Sequence, residues 1–193
     1  YSGAKGNKTS GKLGQDDDWA VKLDSSGNIL WDQSFGGSGQ EAFLESAVQP
    51  TGDGGFVLGG YSDSPNNGNK TSPNYGGKDF WLVRIDTDGN KLWDRSYGGT
   101  TGYDELISVA PARAGGFYLG GRSGSGADGN KTSPNFGGFD MWVVKTDPNG
   151  PKLWDQSFGD ATPEEFEGIQ ETPDAGQHLV GYAYSGPTDT QPP

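Results

Sequence analysis

Apolar and polar residues alternate along this chain in short runs punctuated by glycine. In Phe80-Trp81-Leu82-Val83-Arg84-Ile85-Asp86, the residues Trp81, Val83 and Ile85 share one face, and Phe80, Leu82 and Arg84 share the other. A period of two in β-branched and aromatic residues predicts a strand. Lys91 to Tyr97 reads the same way, with Trp93, Arg95 and Tyr97 opposed to Leu92, Asp94 and Ser96. Further strands are expected at Leu106 to Ala110, Gly116 to Gly121 and Gly55 to Gly60. No window shows a 3.6-residue period, so no helix is expected. Large apolar groups on both faces suit a sheet covered on both sides. The paired glycines suit close approach of a neighbouring sheet.

The runs recur. Gly68-Asn69-Lys70-Thr71-Ser72-Pro73-Asn74-Tyr75-Gly76-Gly77 returns as Gly129-Asn130-Lys131-Thr132-Ser133-Pro134-Asn135-Phe136-Gly137-Gly138, with a degenerate copy at Gly6-Asn7-Lys8-Thr9-Ser10. Trp19, Trp81 and Trp142 lie 62 and 61 residues apart, and Trp31, Trp93 and Trp154 repeat both intervals. Each copy holds four strands. The third and fourth are joined by Ser26-Gly27, Asp88-Gly89 or Asn149-Gly150, dipeptides that tolerate positive φ in tight hairpins. The second and third are joined by a polar loop carrying the Asn-Lys-Thr-Ser motif.

Four-stranded sheets stacked around an axis meet these demands, so the expected fold is an all-β propeller. The units span about 38–99 and 100–163, and a third is divided between about 1–37 and 164–185; a Pro-rich tail covers 186–193. That is three blades' worth of strands, with one blade split between the termini. Propellers hold about four to eight blades, so two chains closing a six-bladed homodimeric ring are expected; the alternative is a piece of a longer array. The chain opens at Tyr1 without a leader, which fits a mature product or such a piece. The six Trp are expected between blades, where aromatic rings supply large buried areas.

The unit Gly-Gly-x-Asp-x-Trp-x-x-(Lys/Arg)-x-Asp-x-x-Gly-x-x-x-Trp, seen from Gly76 to Trp93, resembles the long-blade bacterial propeller repeats of about 60 residues, distant relatives of kelch and PQQ-type blades. The likeness covers nearly the whole chain and implies an architecture rather than an activity. PQQ-type blades carry Thr-Gly where this chain has Ser26-Gly27, Asp88-Gly89 and Asn149-Gly150, so no cofactor is implied. Sialidase-type Asp boxes place Trp closer to Gly than it stands here, so that activity is not implied either.

Composition narrows the partners. With 26 acidic and 14 basic residues the net charge is −12, which argues against nucleic acid and anionic membrane surfaces. No apolar run approaches the ~20 residues of a membrane helix. The 193 residues include no cysteine and one histidine, His178, which disfavours thiolate or imidazole metal sites and places no catalytic triad within easy reach. Aromatic residues make up 12%, too many for a disordered chain. Acidity, Gly/Asn/Thr-rich loops and absent thiols suggest an extracellular or cell-surface protein.

The repeated loops are the candidate ligand contacts: Asn69, Lys70, Thr71, Asn74 and Tyr75, with Asn130, Lys131, Thr132, Asn135 and Phe136. Loops on a rigid scaffold commonly carry binding, whereas Asn and Thr also serve by bonding their own loop. Asp86-Thr87-Asp88-Gly89-Asn90 opens like a calcium loop but lacks its distal Glu, and reads as a hairpin turn. Glu41, Asp104-Glu105 and Glu164-Glu165 stand where each first strand begins. They are candidates for an acidic mouth or for the paired carboxylates of glycoside hydrolysis. Repetition in every copy favours structure or multivalent binding over one asymmetric catalytic centre. The expected function is a non-enzymatic binding or cell-surface assembly module for a glycan or surface-protein ligand. A multivalent lectin and a carbohydrate-active hydrolase are the alternatives.

Overall fold

A computed structural model describes residues 6–184, apart from the side chains of 45 and 46. The Pro-rich stretch 186–193 lies outside the described residues. The fold is all-β, with no helix among the described residues. Two full units each form a four-stranded antiparallel meander. The first comprises β3 (Glu41–Pro50), β4 (Phe56–Ser62), β5 (Asp79–Ile85) and β6 (Lys91–Tyr97). The second comprises β7 (Asp104–Pro111), β8 (Phe117–Ser123), β9 (Asp140–Thr146) and β10 (Lys152–Phe158). Their first strands touch through one parallel pair, Ser46 with Ser108. Two hairpins stand outside the meanders: β1 (Asp18–Leu23) with β2 (Ile29–Phe35), and β11 (Glu164–Glu171) with β12 (Gln177–Ala183).

Register repeats with the sequence. Trp81 lies opposite Ser96, Trp142 opposite Ser157 and Trp19 opposite Ser34. In the other half of the unit, Phe43 faces Gly60, Leu106 faces Gly121 and Phe166 faces Gly181, and each register slips immediately afterwards. The hairpin β1–β2 thus has the geometry of β5–β6, and β11–β12 that of β3–β4. At the turns of β1–β2, β5–β6 and β9–β10, Gly27, Gly89 and Gly150 adopt φ of 84°, 81° and 95°, which only glycine adopts freely. The Asp86 carboxylate accepts from the backbone N–H of Asp88 and Asn90, both at 2.9 Å. That stretch is a turn closed on itself.

The core consists of three successive layers. Phe35, Trp81, Val83 and Ile85 fill the space between β1–β2 and the first meander. Phe80, Leu82, Leu106, Leu119, Trp142 and Val144 fill the space between the meanders. Tyr118, Val143, Phe166 and Ile169 join the second meander to β11–β12. Phe80 and Trp142 lie 4.6 Å apart between ring centres. Burying an indole such as Trp81 or Trp142 contributes about 5 kcal/mol of hydrophobic transfer. The other four tryptophans are less buried than Trp81 and Trp142. Trp31 and Trp93, on outermost strands, are half-buried and lie over Gly89 and Gly150 of the next unit's hairpin turn. Trp19 and Trp154 are exposed to 43% and 41%, since no further sheet among the described residues covers them.

Layers this close tolerate no extra atoms where one sheet's side chains meet the next sheet's backbone. A Cβ at Gly120 would lie 2.1 Å from Cζ of Phe166, whereas one at Gly168 would meet nothing within 4 Å. Gly120→Ala is therefore expected to cost about 1–3 kcal/mol in urea unfolding, and Gly168→Ala to stay within about 0.5 kcal/mol of wild type. Equal effects would contradict this packing.

Candidate functional site

Each unit organises its long loop around one buried carboxylate on the fourth strand. Asp94 accepts from the Thr71 and Ser72 backbone N–H at 3.0 and 2.9 Å, the Ser72 hydroxyl at 2.7 Å, the Trp81 indole N–H at 3.0 Å, the Lys91 ammonium at 2.5 Å and the Thr71 hydroxyl. Asp155 collects the same set from Thr132, Ser133, Trp142 and Lys152. Asp32 collects it from Thr9, Ser10 and Trp19, without the lysine, since Ile29 stands in its place. Burial alone would raise the Asp94 pKa. The Lys91 ammonium, the Thr71 hydroxyl and the Trp81 indole outweigh it and hold the carboxyl well below the usual range. The hub ties the loop to the indole that anchors the core, so loop and core are one unit.

The ten loop residues named from the sequence largely turn inward. Lys70 and Lys131 are buried. The Lys70 ammonium donates to the carbonyls of Ser72 and Pro73, and that of Lys131 to Ser133, Pro134 and the Ser157 hydroxyl. Asn69 accepts from the Gly36 N–H at 3.0 Å and donates to the Ser34 carbonyl at 2.8 Å. Asn130 repeats this with Gly98 and Ser96. These two asparagines staple each loop to the preceding unit. Asn74 and Asn135 donate to the carbonyls of Gly77 and Gly138. Thr71 and Thr132 spend their hydroxyls on the hubs. The Tyr75 and Phe136 backbone N–H groups bond Asp79 and Asp140, and the Phe136 ring remains 49% exposed.

Beneath the glycines that lead into each first strand, two carboxylates converge. Asp79 Oδ1 and Asp104 Oδ2 come within 2.0 and 2.8 Å of one point above Gly98, and Asp140 and Glu164 meet the same way above Gly159. Asp79 and Asp104 are buried, and Oδ1 of each has no hydrogen-bond partner. Burial, less the bond from the Tyr75 N–H, with Asp104 alongside, pushes Asp79 up to about 7. Burial, less the bond from the Phe43 N–H, with Glu41 and Asp17 nearby, pushes Asp18 up to about 8.

The structure also assembles a surface cluster that joins Glu105 and Glu165, both named from the sequence, to basic and aromatic residues that the sequence did not single out. Lys78 lies 4.0 Å from the Tyr61 ring centre and 5.7 Å from that of Tyr103, and Arg122 lies 4.8 Å from that of Phe139. Glu105 bridges Lys78 and Arg122 at 3.1 and 2.6 Å, and Arg122 also holds Glu165 at 2.6 Å. Burial would raise the Glu105 pKa, but Arg122 and Lys78 hold it below its ordinary value. Glu105 is thus a charged bridge rather than a proton donor. Tyr61 and Arg122, like Lys78 and Phe139, occupy matching strand ends in the two units but differ in type, so repetition gives no signal for them. Among the described residues, no cluster of three or more His, Asp or Glu is placed to hold a metal ion.

No family model matches the chain. It is similar to the regulatory protein FlaEY of Caulobacter vibrioides, with 31% identity over 180 residues. The matched stretch covers 90% of this chain and 19% of that protein, so the chain spans under a fifth of the curated relative's length.

Two outcomes are expected. Asp94→Ala leaves the Trp81 indole and two backbone N–H groups without their acceptor and Lys91 without its carboxylate partner, and is expected to cost about 3–5 kcal/mol in urea unfolding. The loss should include the slow exchange of the Thr71 amide. Asp18 and Asp79 titrate higher in the folded than in the unfolded chain, so their contribution to stability falls as pH rises from about 4 to 8. Asp94 and Asp155 titrate lower when folded, so theirs is lost only below about pH 4. The urea midpoint should be higher at pH 5 than at pH 8, with Asp79→Asn flattening the slope; a midpoint rising over that interval contradicts the assignment.

Proposed function

We propose that the four-stranded units are blades of a β-propeller, and that the module acts by binding, without catalysis, at the end where the long loops and the first-strand loops meet. The observation that carries this reading is the equivalence of the two complete loops. The same motif makes the same internal bonds in both, so each loop is a rigid platform whose polar side chains are spent on holding its shape. What the platforms offer to solvent is aromatic and charged: Phe136, Tyr103 at 53% exposure, and the Lys78 and Arg122 clusters beside them. Aromatic faces flanked by charge-bearing side chains suit carbohydrate, whose apolar ring faces stack while its hydroxyls hydrogen-bond. Repetition gives weak sites avidity.

A hydrolase is less well supported. Glu105 and Glu165 share one arginine, and Arg122 with Lys78 holds Glu105 below its ordinary pKa, whereas a general acid needs a raised one. The acidic, thiol-free composition supports an extracellular or cell-surface setting. A second reading draws on the name of the similar Caulobacter protein, a regulatory protein; on that reading the same platforms take a protein surface. A glycan array separates the two readings. Binding reduced at least tenfold by Phe136→Ala or Tyr103→Ala, with the urea midpoint unchanged, is expected. An array with no bound glycan, or binding indifferent to both substitutions, would set the carbohydrate reading aside.

A further inference from the structure

The two outer hairpins leave complementary surfaces open, and the complete units show what fits them. Within each meander the second strand pairs with the third in one register: Gly60 with Trp81 and Leu58 with Val83, Gly121 with Trp142 and Leu119 with Val144. The corresponding second strand at the chain's end is β12, and the corresponding third strand at its beginning is β1; they belong to separate two-stranded sheets. In the same register, Gly181 would oppose Trp19, Leu179 would oppose Val21 and Val180 would oppose Ala20. We propose that β12 of one copy pairs with β1 of a second copy, and reciprocally, so that each outer hairpin is completed to a four-stranded sheet. The proposal rests on the blade reading above and names its partner.

Four features support a second copy as the occupant. The first is a size exchange. Inside the chain, a glycine on the second strand faces a larger residue on the third, Gly59 with Leu82 and Gly120 with Val143. At the open edges the sizes are reversed, with Val180 on the second strand and Ala20 on the third. Val180 is 62% exposed, and Ala20 lines an apolar groove of about 390 Å³ with Phe43, Val48 and Leu58. A partner's Val180 would enter that groove. The second is the outer strand. Phe35 and Tyr97 are each 2% exposed beneath a following unit, whereas their counterpart Phe158 is 42% exposed.

The third is the turn. Trp31 covers Gly89 and Trp93 covers Gly150, but their counterparts, Trp154 and Gly27, are both left open: Trp154 is exposed, and a Cβ at Gly27 would meet nothing within 4 Å. The fourth is the staple. Asn69 and Asn130 each bond the preceding unit, and the counterpart Asn7 is exposed. By the same spacing its partners would be the Gly159 N–H and the Ser157 carbonyl of the second copy.

The chain lacks cysteine, so introduced thiols report contacts directly. One chain carrying Ala20→Cys is mixed with another carrying Val180→Cys and oxidised; opposed residues of antiparallel strands lie about 4.5–5.5 Å apart at Cα, within disulfide range. A covalent dimer is expected. Ala20→Cys mixed with Leu179→Cys, which points to the opposite face, should give at least tenfold less. Light scattering on the wild type should return twice the 20.3 kDa chain mass, and Ala20→Arg should return the single mass with the urea midpoint of its inner sheets retained. A single-chain wild-type mass at every concentration, or equal crosslinking in both mixtures, overturns the proposal. Neither result would alter the glycan array, which reads platforms contained within one chain.

Discussion

The structure depends on a carboxylate placed where an apolar side chain would be expected. On the fourth strand of each unit, Asp32, Asp94 or Asp155 points toward the core face and must be satisfied there. An isolated buried carboxylate costs several kcal/mol. Asp94 escapes that cost because the loop brings it two backbone amides and two hydroxyls, the third strand an indole N–H, and its own strand an ammonium. The requirement works in both directions. The carboxylate orders a long loop that has no secondary structure of its own, and the loop makes the buried charge tolerable. The conformational entropy of such a loop would otherwise oppose its ordering.

Two consequences follow for function. A loop whose polar side chains are largely spent internally presents a fixed surface, and binding to it carries little further ordering cost. The motif that looks most like a binding signature is therefore a folding signature, and the exposed chemistry sits beside it, on Tyr61, Lys78, Tyr103, Arg122, Phe136 and Phe139. The stacked-layer design also lets each unit use its predecessor. Asn69 and Asn130 bond back across the gap, and Trp31 and Trp93 reach forward over the next turn. Trp19, Trp154, Phe158 and Val180 are exposed where no neighbouring unit among the described residues covers them.

Much of the fold was legible in the sequence because the information repeats. The alternation around Trp81 and Trp93, the Asp-Gly and Asn-Gly turns and the 61- to 62-residue spacing place strands close to where they stand. First strands were harder to bound: Leu106 to Ala110 was expected, and Asp104–Pro111 is observed. The extra residues are polar ends held by the buried pair Asp79 and Asp104 and by a register slip, neither of which leaves a local pattern. The hub was visible but unread. Asp94 shares a face with Leu92 and Ser96, and a charge recurring at that position in all three copies is the signal that would have found it. The basic and aromatic members of the surface cluster were invisible, because Tyr61 and Arg122, or Lys78 and Phe139, occupy matching positions without matching chemistry.

The hubs clamp the loops, which do not lie loosely on the sheets. Amide and indole hydrogen exchange resolved at Thr71, Ser72 and the Trp81 Nε1–H tests this most directly. All three should exchange together and as slowly as the amides of β5, because opening any one requires opening the core beneath it. Loop amides exchanging at the rate of exposed turns while the β5 amides remain protected would show that the carboxylate does not hold the loop, and would contradict the account.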